Sequence, residues 1–125
     1  MATNAKLIYP ELSYKIMGVL FKVHSKLGSS YQEKYYQRAF EILLKRKGIP
    51  YKKEQKCVLR FKERIIGRYY IDFVVDDKIV IEFKVADEFY RVHLNQVLGY
   101  LRATSLRLGI LVIFSQEGIK YKRVV

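Results

Sequence analysis

Three charged residues stand in a stretch that otherwise reads as buried strand. In "YYIDFVVDDKIVIEFK", Tyr69 to Lys84, Asp72, Glu82 and Lys84 are set among Val, Ile and Phe. A charge carried toward a core costs on the order of several kcal/mol unless it is paired or coordinated. Strand side chains alternate, so the loop between the two runs decides whether these groups meet. A three-residue loop, Asp76-Asp77-Lys78, pairs Val75 with Ile79 and sets Asp72 opposite Glu82. Lys84, Val74 and Val80 then share their face, while Ile71, Phe73, Val75, Ile79, Ile81 and Phe83 form a wholly apolar one. A two-residue loop would send the carboxylates to opposite faces. Two facing carboxylates repel, and a hard divalent cation, Mg²⁺ with Mn²⁺ as substitute, would relieve them. An ammonium beside them could polarise an attacking water or stabilise charge building on a phosphate. The same three residues also suit an exposed, salt-bridged patch on an edge hairpin, with Lys84 merely neutralising Glu82. Asp76 and Asp77 belong to the turn, where Asp is common.

The elements that must position this group follow from periodicity. From Glu11 to Leu27 the residues Leu12, Ile16, Val19, Leu20, Val23 and Leu27 make one helical stripe, with Pro10 before the first turn. Gly28-Ser29-Ser30 breaks the chain. A second helix follows, carrying Tyr36, Ala39, Phe40, Leu43 and Leu44, and stops at Gly48 before Pro50. Beyond Tyr51, β-branched and aromatic residues predict strands near 55–62, 65–75 and 78–85, joined by hairpins at Lys62-Glu63-Arg64 and Asp76-Asp77-Lys78. A third helix is expected from about Glu88 to Thr104, with Val92, Val97, Leu98 and Leu101 apolar. "LRLGILVIF" reads as a buried strand and "IKYKRVV" as a short last one. The order is ααβββαββ, a mixed α/β chain without linker or repeat, expected to form a single domain over 1–125.

Bulk composition narrows the partners. Half of the 125 residues are apolar, enough for a core, and 24 basic against 12 acidic residues give a net charge of +12. Such a field attracts polyanions, nucleic acid first among them. "LGILVIF" is the longest uncharged apolar run and falls far short of the roughly 20 residues of a membrane helix. "MATNAKLIYPELSYK" lacks the apolar segment of a signal peptide. A single cysteine, Cys57, excludes an internal disulfide and a cysteine-rich zinc site. The expected compartment is the cytoplasm.

Asp72 followed by Glu82-Phe83-Lys84 resembles the D…ExK signature of the PD-(D/E)XK nucleases. "QVLGY", with Gln96 and Tyr100, is similar to the QxxxY motif of the RecB-like branch. More closely, the chain resembles the GxxExxY proteins of that superfamily from about Leu12 to Val124, through "LGSSYQEKYYQRAF", "GRYYIDFVVDDKIVIEFK", "VHLNQVLGYLRAT" and "LGILVIF". Glu33 and Tyr36 fit the name motif, whereas Ser30 stands where glycine is expected, and Ile71 where the superfamily often has proline.

The resemblance implies a restriction-endonuclease-like fold, a central mixed sheet flanked by helices, and Mg²⁺-dependent hydrolysis of phosphodiesters, in DNA rather than RNA. It assigns metal binding to Asp72, Glu82 and the Phe83 carbonyl, with Glu33 completing the shell directly or through water, and water activation to Lys84. Glu33 would also sit well in a helix first turn for dipole reasons alone. Gln96 and Tyr100 share a helix face with His93, and the resemblance brings them toward the nucleic-acid backbone. Tyr100 could equally be core. Arg60, Lys62, Arg64 and Arg68 are expected beside the site, with Lys120 and Lys122 alternating on the last strand. Such contacts set affinity and carry no base specificity, and the eleven tyrosines offer stacking surfaces. The rival readings are a non-cleaving nucleic-acid-binding module on the same fold and a structure-selective junction resolvase, the latter implying a homodimer.

Overall fold

The computed structural model describes residues 8–125; the expectation drawn from the first seven residues lies outside them. Helices α1 (Pro10–Leu27) and α2 (Glu33–Lys47) precede strands β1 (Tyr51–Phe61), β2 (Arg64–Val75) and β3 (Ile79–Val85). Helix α3 (Arg91–Thr104) then leads to β4 (Leu108–Ser115) and β5 (Gly118–Val124). The order ααβββαββ is the one the periodicities predict. Two boundaries differ. Strand β1 begins at Tyr51, because the Lys52-Lys53 segment pairs with Val74 and Phe73. Helix α3 begins after an extended Tyr90; the segment before it is held by Lys120 Nζ, which donates to the Asp87 carbonyl at 3.1 Å.

The sheet runs β1-β2-β3-β4-β5, antiparallel except for the parallel β3–β4 pair, which α3 connects. Strand β4, and β3 as far as Ile81, are apolar on both faces because helices cover both. On one face α1 and α2 bury Ile16, Leu20, Val23, Tyr36, Phe40 and Leu44 against Phe73, Val75, Ile79, Ile81 and Phe83. Phe40 meets the rings of Phe73 and Phe83 nearly edge-on at 5.0 and 5.3 Å. On the other face α3 packs Val97, Tyr100 and Leu101 over Val74, Val80 and Leu111. Val92, expected to be apolar packing, is instead 68 % exposed.

Helix α3 lies so close to β4 that a Cβ on Gly109 would meet Val97 Cγ1 at 2.5 Å. Gly109→Ala is therefore expected to destabilise the fold by about 1–3 kcal/mol, the usual cost of overpacking. Thermal denaturation checks this; an unchanged melting temperature would show that α3 can yield.

The β2–β3 hairpin has the three-residue loop, and Val75, Val74 and Phe73 pair with Ile79, Val80 and Ile81. Asp76 and Asp77 both adopt left-handed φ, 54° and 52°, which Asp tolerates better than bulky residues do. Beyond Phe73 the two strands part. Strand β2 continues paired to β1 alone, so residues 55–71 form a two-stranded ribbon leaving the sheet. The alternation also changes phase here. Ile71 packs with Val74 and Cys57 under α3, not with Phe73 as strict alternation requires. The β1 residue opposite Asp72, Glu54, has φ 54°, and neither enters the ladder. That local twist turns the ribbon relative to the sheet.

Candidate active site

Where β2 and β3 separate, the Phe83 N–H has no strand partner, and Asp72 Oδ2 accepts it at 2.8 Å. The Asp72 side chain thus takes the place of a ladder carbonyl and is fixed at the fork. Glu82, on the α3 side with Val80, is only 3 % exposed. Its Oε2 lies 3.4 Å from Lys84 Nζ, and its Oε1 has no hydrogen-bond partner. An exposed salt-bridged patch would look different: both carboxylates would reach water. Here Glu82 is buried beside another carboxylate.

Glu33 arrives from the opposite layer. Tyr36 sets its position: its hydroxyl donates to the Gly28 carbonyl at 2.7 Å and accepts the Tyr31 N–H at 3.3 Å, while its ring stacks on Phe114 at 4.0 Å. Ser29 Oγ ties the same loop to the Ser115 carbonyl at 3.1 Å. Helix α2 therefore begins beside the end of β4, with Glu33 as its first residue. Ser30, where the resemblance expects glycine, has φ 81°, a conformation glycine adopts without steric cost. The departure touches the turn and leaves Glu33 in place.

Electrostatics bind the group together. Burial first, then the charge of Asp72, pushes Glu33 up to about 7, with Lys84 opposing. Burial and Asp72 likewise push Glu82 up to about 8 against the pull of Lys84. Asp72 is also raised by burial, restrained by the Phe83 N–H and by Lys84. Gln37, one turn after Glu33, lies near enough to pull Asp72 slightly the same way. Three carboxylates that cannot all ionise cheaply around one ammonium make a site poised for a cation.

Helix α3 closes the other side. Tyr100 is 3 % exposed and its hydroxyl accepts from Gln96 Nε2 at 2.9 Å. Burial, Glu82 and Asp72 together raise its phenol above the ordinary range. Tyr100 is thus both core and neighbour of the carboxylates. His93 is half-buried on the same side, and burial followed by Lys84 lowers its pKa. Between α3 and the ribbon lies a cleft of about 820 Å³ lined by His93, Gln96, Tyr100, Tyr69, Leu59 and Lys84.

The expected basic residues divide. Lys120 and Lys122 lie in register with Ile113 and Leu111, the β4 partners of Lys84 and Glu82, two strands from them on the same face. They are engaged with the β3–α3 connection, Lys122 sitting 5.2 Å from the Phe89 ring centre. Arg60, Lys62 and Arg64 are not beside the carboxylates. They occupy the far end of the ribbon, Arg64 eight residues before Asp72, about 26 Å at ~3.3 Å per strand residue. Arg68 lies midway, and a bulge after Leu59 places Arg60 opposite Ile65. The fork at Asp72 carries the hairpin that bears them away from the site. Sequence reasoning missed Gln37, although its spacing of four from Glu33 on one helix face was the available signal. It also missed Tyr69 and Leu59 as cleft walls, which no local pattern reveals.

The donor set is hard oxygen, and the unpartnered Glu82 Oε1 is the kind of buried acceptor a cation satisfies. Among the described residues no three or more His, Cys, Asp or Glu side chains converge closely enough to hold an ion unaided. The fit is therefore to the Asp72–Glu82 pair with other oxygens, Glu33 lying nearby without closing a cage.

A mixed sheet covered on both faces, forked at an acidic pair with a lysine two residues on, is the arrangement of a nuclease-type α/β fold. The sequence matches the PD-(D/E)XK nuclease superfamily over residues 10–124, and the chain belongs to that superfamily. Among curated proteins none matches significantly. A solved structure described as the crystal structure of SSO0001 is similar in fold, with a TM-score of 0.58 at 18 % identity, covering 93 % of this chain. The chain spans 58 % of that structure's length. Among the described residues no helix is long and apolar enough to cross a membrane.

Proposed function

We propose that the chain is a divalent-cation-dependent nuclease, one domain over 1–125, that hydrolyses phosphodiesters of DNA in preference to RNA. The observation carrying this reading is the carboxylate pair at the fork: half-buried Asp72 and buried Glu82 with raised pKa, an unpartnered Glu82 oxygen, and Lys84 at 3.4 Å from Glu82. Such a pair destabilises the metal-free fold and gains its return only when a positive charge joins it. Asp72, Glu82 and the Phe83 carbonyl would hold Mg²⁺ or Mn²⁺, with Glu33 acting through water. When bound, the cation supplies Lewis-acid polarisation of the phosphate and a more acidic water.

The chain's own residues do the rest. Lys84, held by Glu82, keeps an ammonium at the fork, where it orients the attacking water and offsets charge on the phosphate oxygens. The Phe83 N–H holds the Asp72 carboxylate at the fork. Tyr100 and Gln96 exclude bulk water from the α3 side, and Lys120 and Lys122 add field from β5. The resemblance to the GxxExxY proteins supports the same assignment through Glu33 and Tyr36.

Purified protein should cut labelled nucleic acid with Mg²⁺ or Mn²⁺ and not with EDTA. Lys84→Ala should lower the rate about 10²-fold or more, the scale of losing one preorganised electrostatic group. Salt-sensitive binding without cutting, unaffected by Lys84→Ala, would make this a binding module. Cutting confined to four-way junctions would make it a resolvase.

A further inference from the structure

We infer that the strand reaching this site enters it unpaired, with a base seated on Tyr69 in the cleft between the ribbon and α3. The inference rests on the nuclease reading for its direction, since Lys84 forms part of the cleft lining. Three observations carry it.

The first is depth. Glu82 is 3 % exposed, and the open volume leading to Lys84 is about 820 Å³. That lies within the roughly 300–1,000 Å³ of pockets that enclose one small ligand. A recess of that size seats a nucleotide or two rather than the full width of a duplex. The second is the wall chemistry. Tyr69, on the ribbon, is 45 % exposed, and its ring stands 6.4 Å from that of Tyr100 at 65°. Leu59 and Val92 are exposed across the same opening, at 45 % and 68 %. An aromatic ring with a free face among apolar neighbours suits a nucleobase, which duplex pairing would hide. The third is charge. Residues 56–68 of the ribbon carry Lys56, Arg60, Lys62, Arg64 and Arg68 against Glu63 alone. In the cleft lining itself the cationic side chains are Lys84 and Arg102, which suit an anionic strand and have no use for an apolar small molecule. Aromatic platforms within a cationic groove are how unpaired nucleic acid is gripped without sequence preference.

The fold explains why the cleft exists. Because Asp72 gives its side chain to Phe83, β2 leaves β3 after three pairs, and the ribbon rises opposite α3. The feature that fixes the carboxylate thus also opens the groove above it.

Binding measured in EDTA tests this independently of cutting. Fluorescence anisotropy of the full chain with a labelled unpaired oligonucleotide, against the same sequence as a duplex, should show at least tenfold tighter binding to the unpaired form. Tyr69→Ala should weaken unpaired binding about tenfold, leave duplex binding unchanged, and be rescued by Tyr69→Phe. Tyr69 is exposed, so circular dichroism should show the variant folded. Equal affinity for both forms, equal loss for both, or no loss would overturn the inference. So would a change in sedimentation coefficient on Tyr69→Ala, which would make the wall a contact between copies. With Mg²⁺, cutting should fall in the unpaired part of a flapped duplex. Unpaired preference without cutting of any substrate would keep the cleft assignment and sink the nuclease.

Discussion

Asp72→Asn is expected to lower cleavage by about 10²–10³-fold while leaving the melting temperature of the metal-free protein unchanged or raised. The two effects oppose each other because Asp72 has two roles. As a hydrogen-bond acceptor it holds the Phe83 N–H at 2.8 Å, and an Asn carbonyl can accept the same bond. As a charge it repels Glu82 and Glu33, raising both, and Asn removes that repulsion. A purely structural carboxylate would give the reverse result: lower stability with activity following it down. Asp72→Ala separates the roles further, since it also leaves the Phe83 N–H without its partner, at a cost of about 1–3 kcal/mol. Parallel melting curves and single-turnover cleavage of the two variants decide the matter. Loss of stability in Asp72→Asn with retained cutting would remove Asp72 from the site.

Much of this arrangement was legible in the sequence, for reasons that differ between residues. The loop Asp76-Asp77-Lys78 fixed the pairing of Val75 with Ile79, because only that register leaves Phe73, Ile79, Ile81 and Phe83 on one apolar face. The charges at 72, 82 and 84 were visible because strands of Val, Ile and Phe rarely spend positions on them. Glu33 and the Gln96–Tyr100 pair became legible through resemblance, since Glu33 alone reads as well as a residue favoured by the helix dipole. What the sequence hid was the fork. Alternation predicts a strand that stays flat, and nothing local announces that Glu54 turns left-handed opposite Asp72. Ile71 therefore changed layers and Arg60, Lys62 and Arg64 left the site, both through one tertiary event. Gln37 went unnoticed because a glutamine on a helix surface is ordinary until a carboxylate from another layer meets it.

The same repulsion predicts how stability varies with pH. Glu33 and Glu82 are raised from 4.5 to about 7 and about 8 in the folded chain, mainly by burial. Between pH 4.5 and 8 the folded state therefore binds more protons than the unfolded one, and stability must fall as pH rises. The slope should be on the order of 1 kcal/mol per pH unit, most of it from the buried Glu82. In EDTA the melting temperature should decline through this window and level off above pH 8. Saturating Mg²⁺ should flatten the trend, because the cation keeps the carboxylates deprotonated in the folded chain, as they already are in the unfolded one above about pH 5. The gap between the two curves should thus widen from pH 5 to pH 8.5. Glu82→Gln should flatten the EDTA curve and abolish the gap, since it removes both the shifted proton and a ligand. A variant that keeps the wild-type slope would place the titrating groups elsewhere. A gap that persists in Glu82→Gln would place the cation there too, and the fork at Asp72 would then owe its burial of charge to something other than metal.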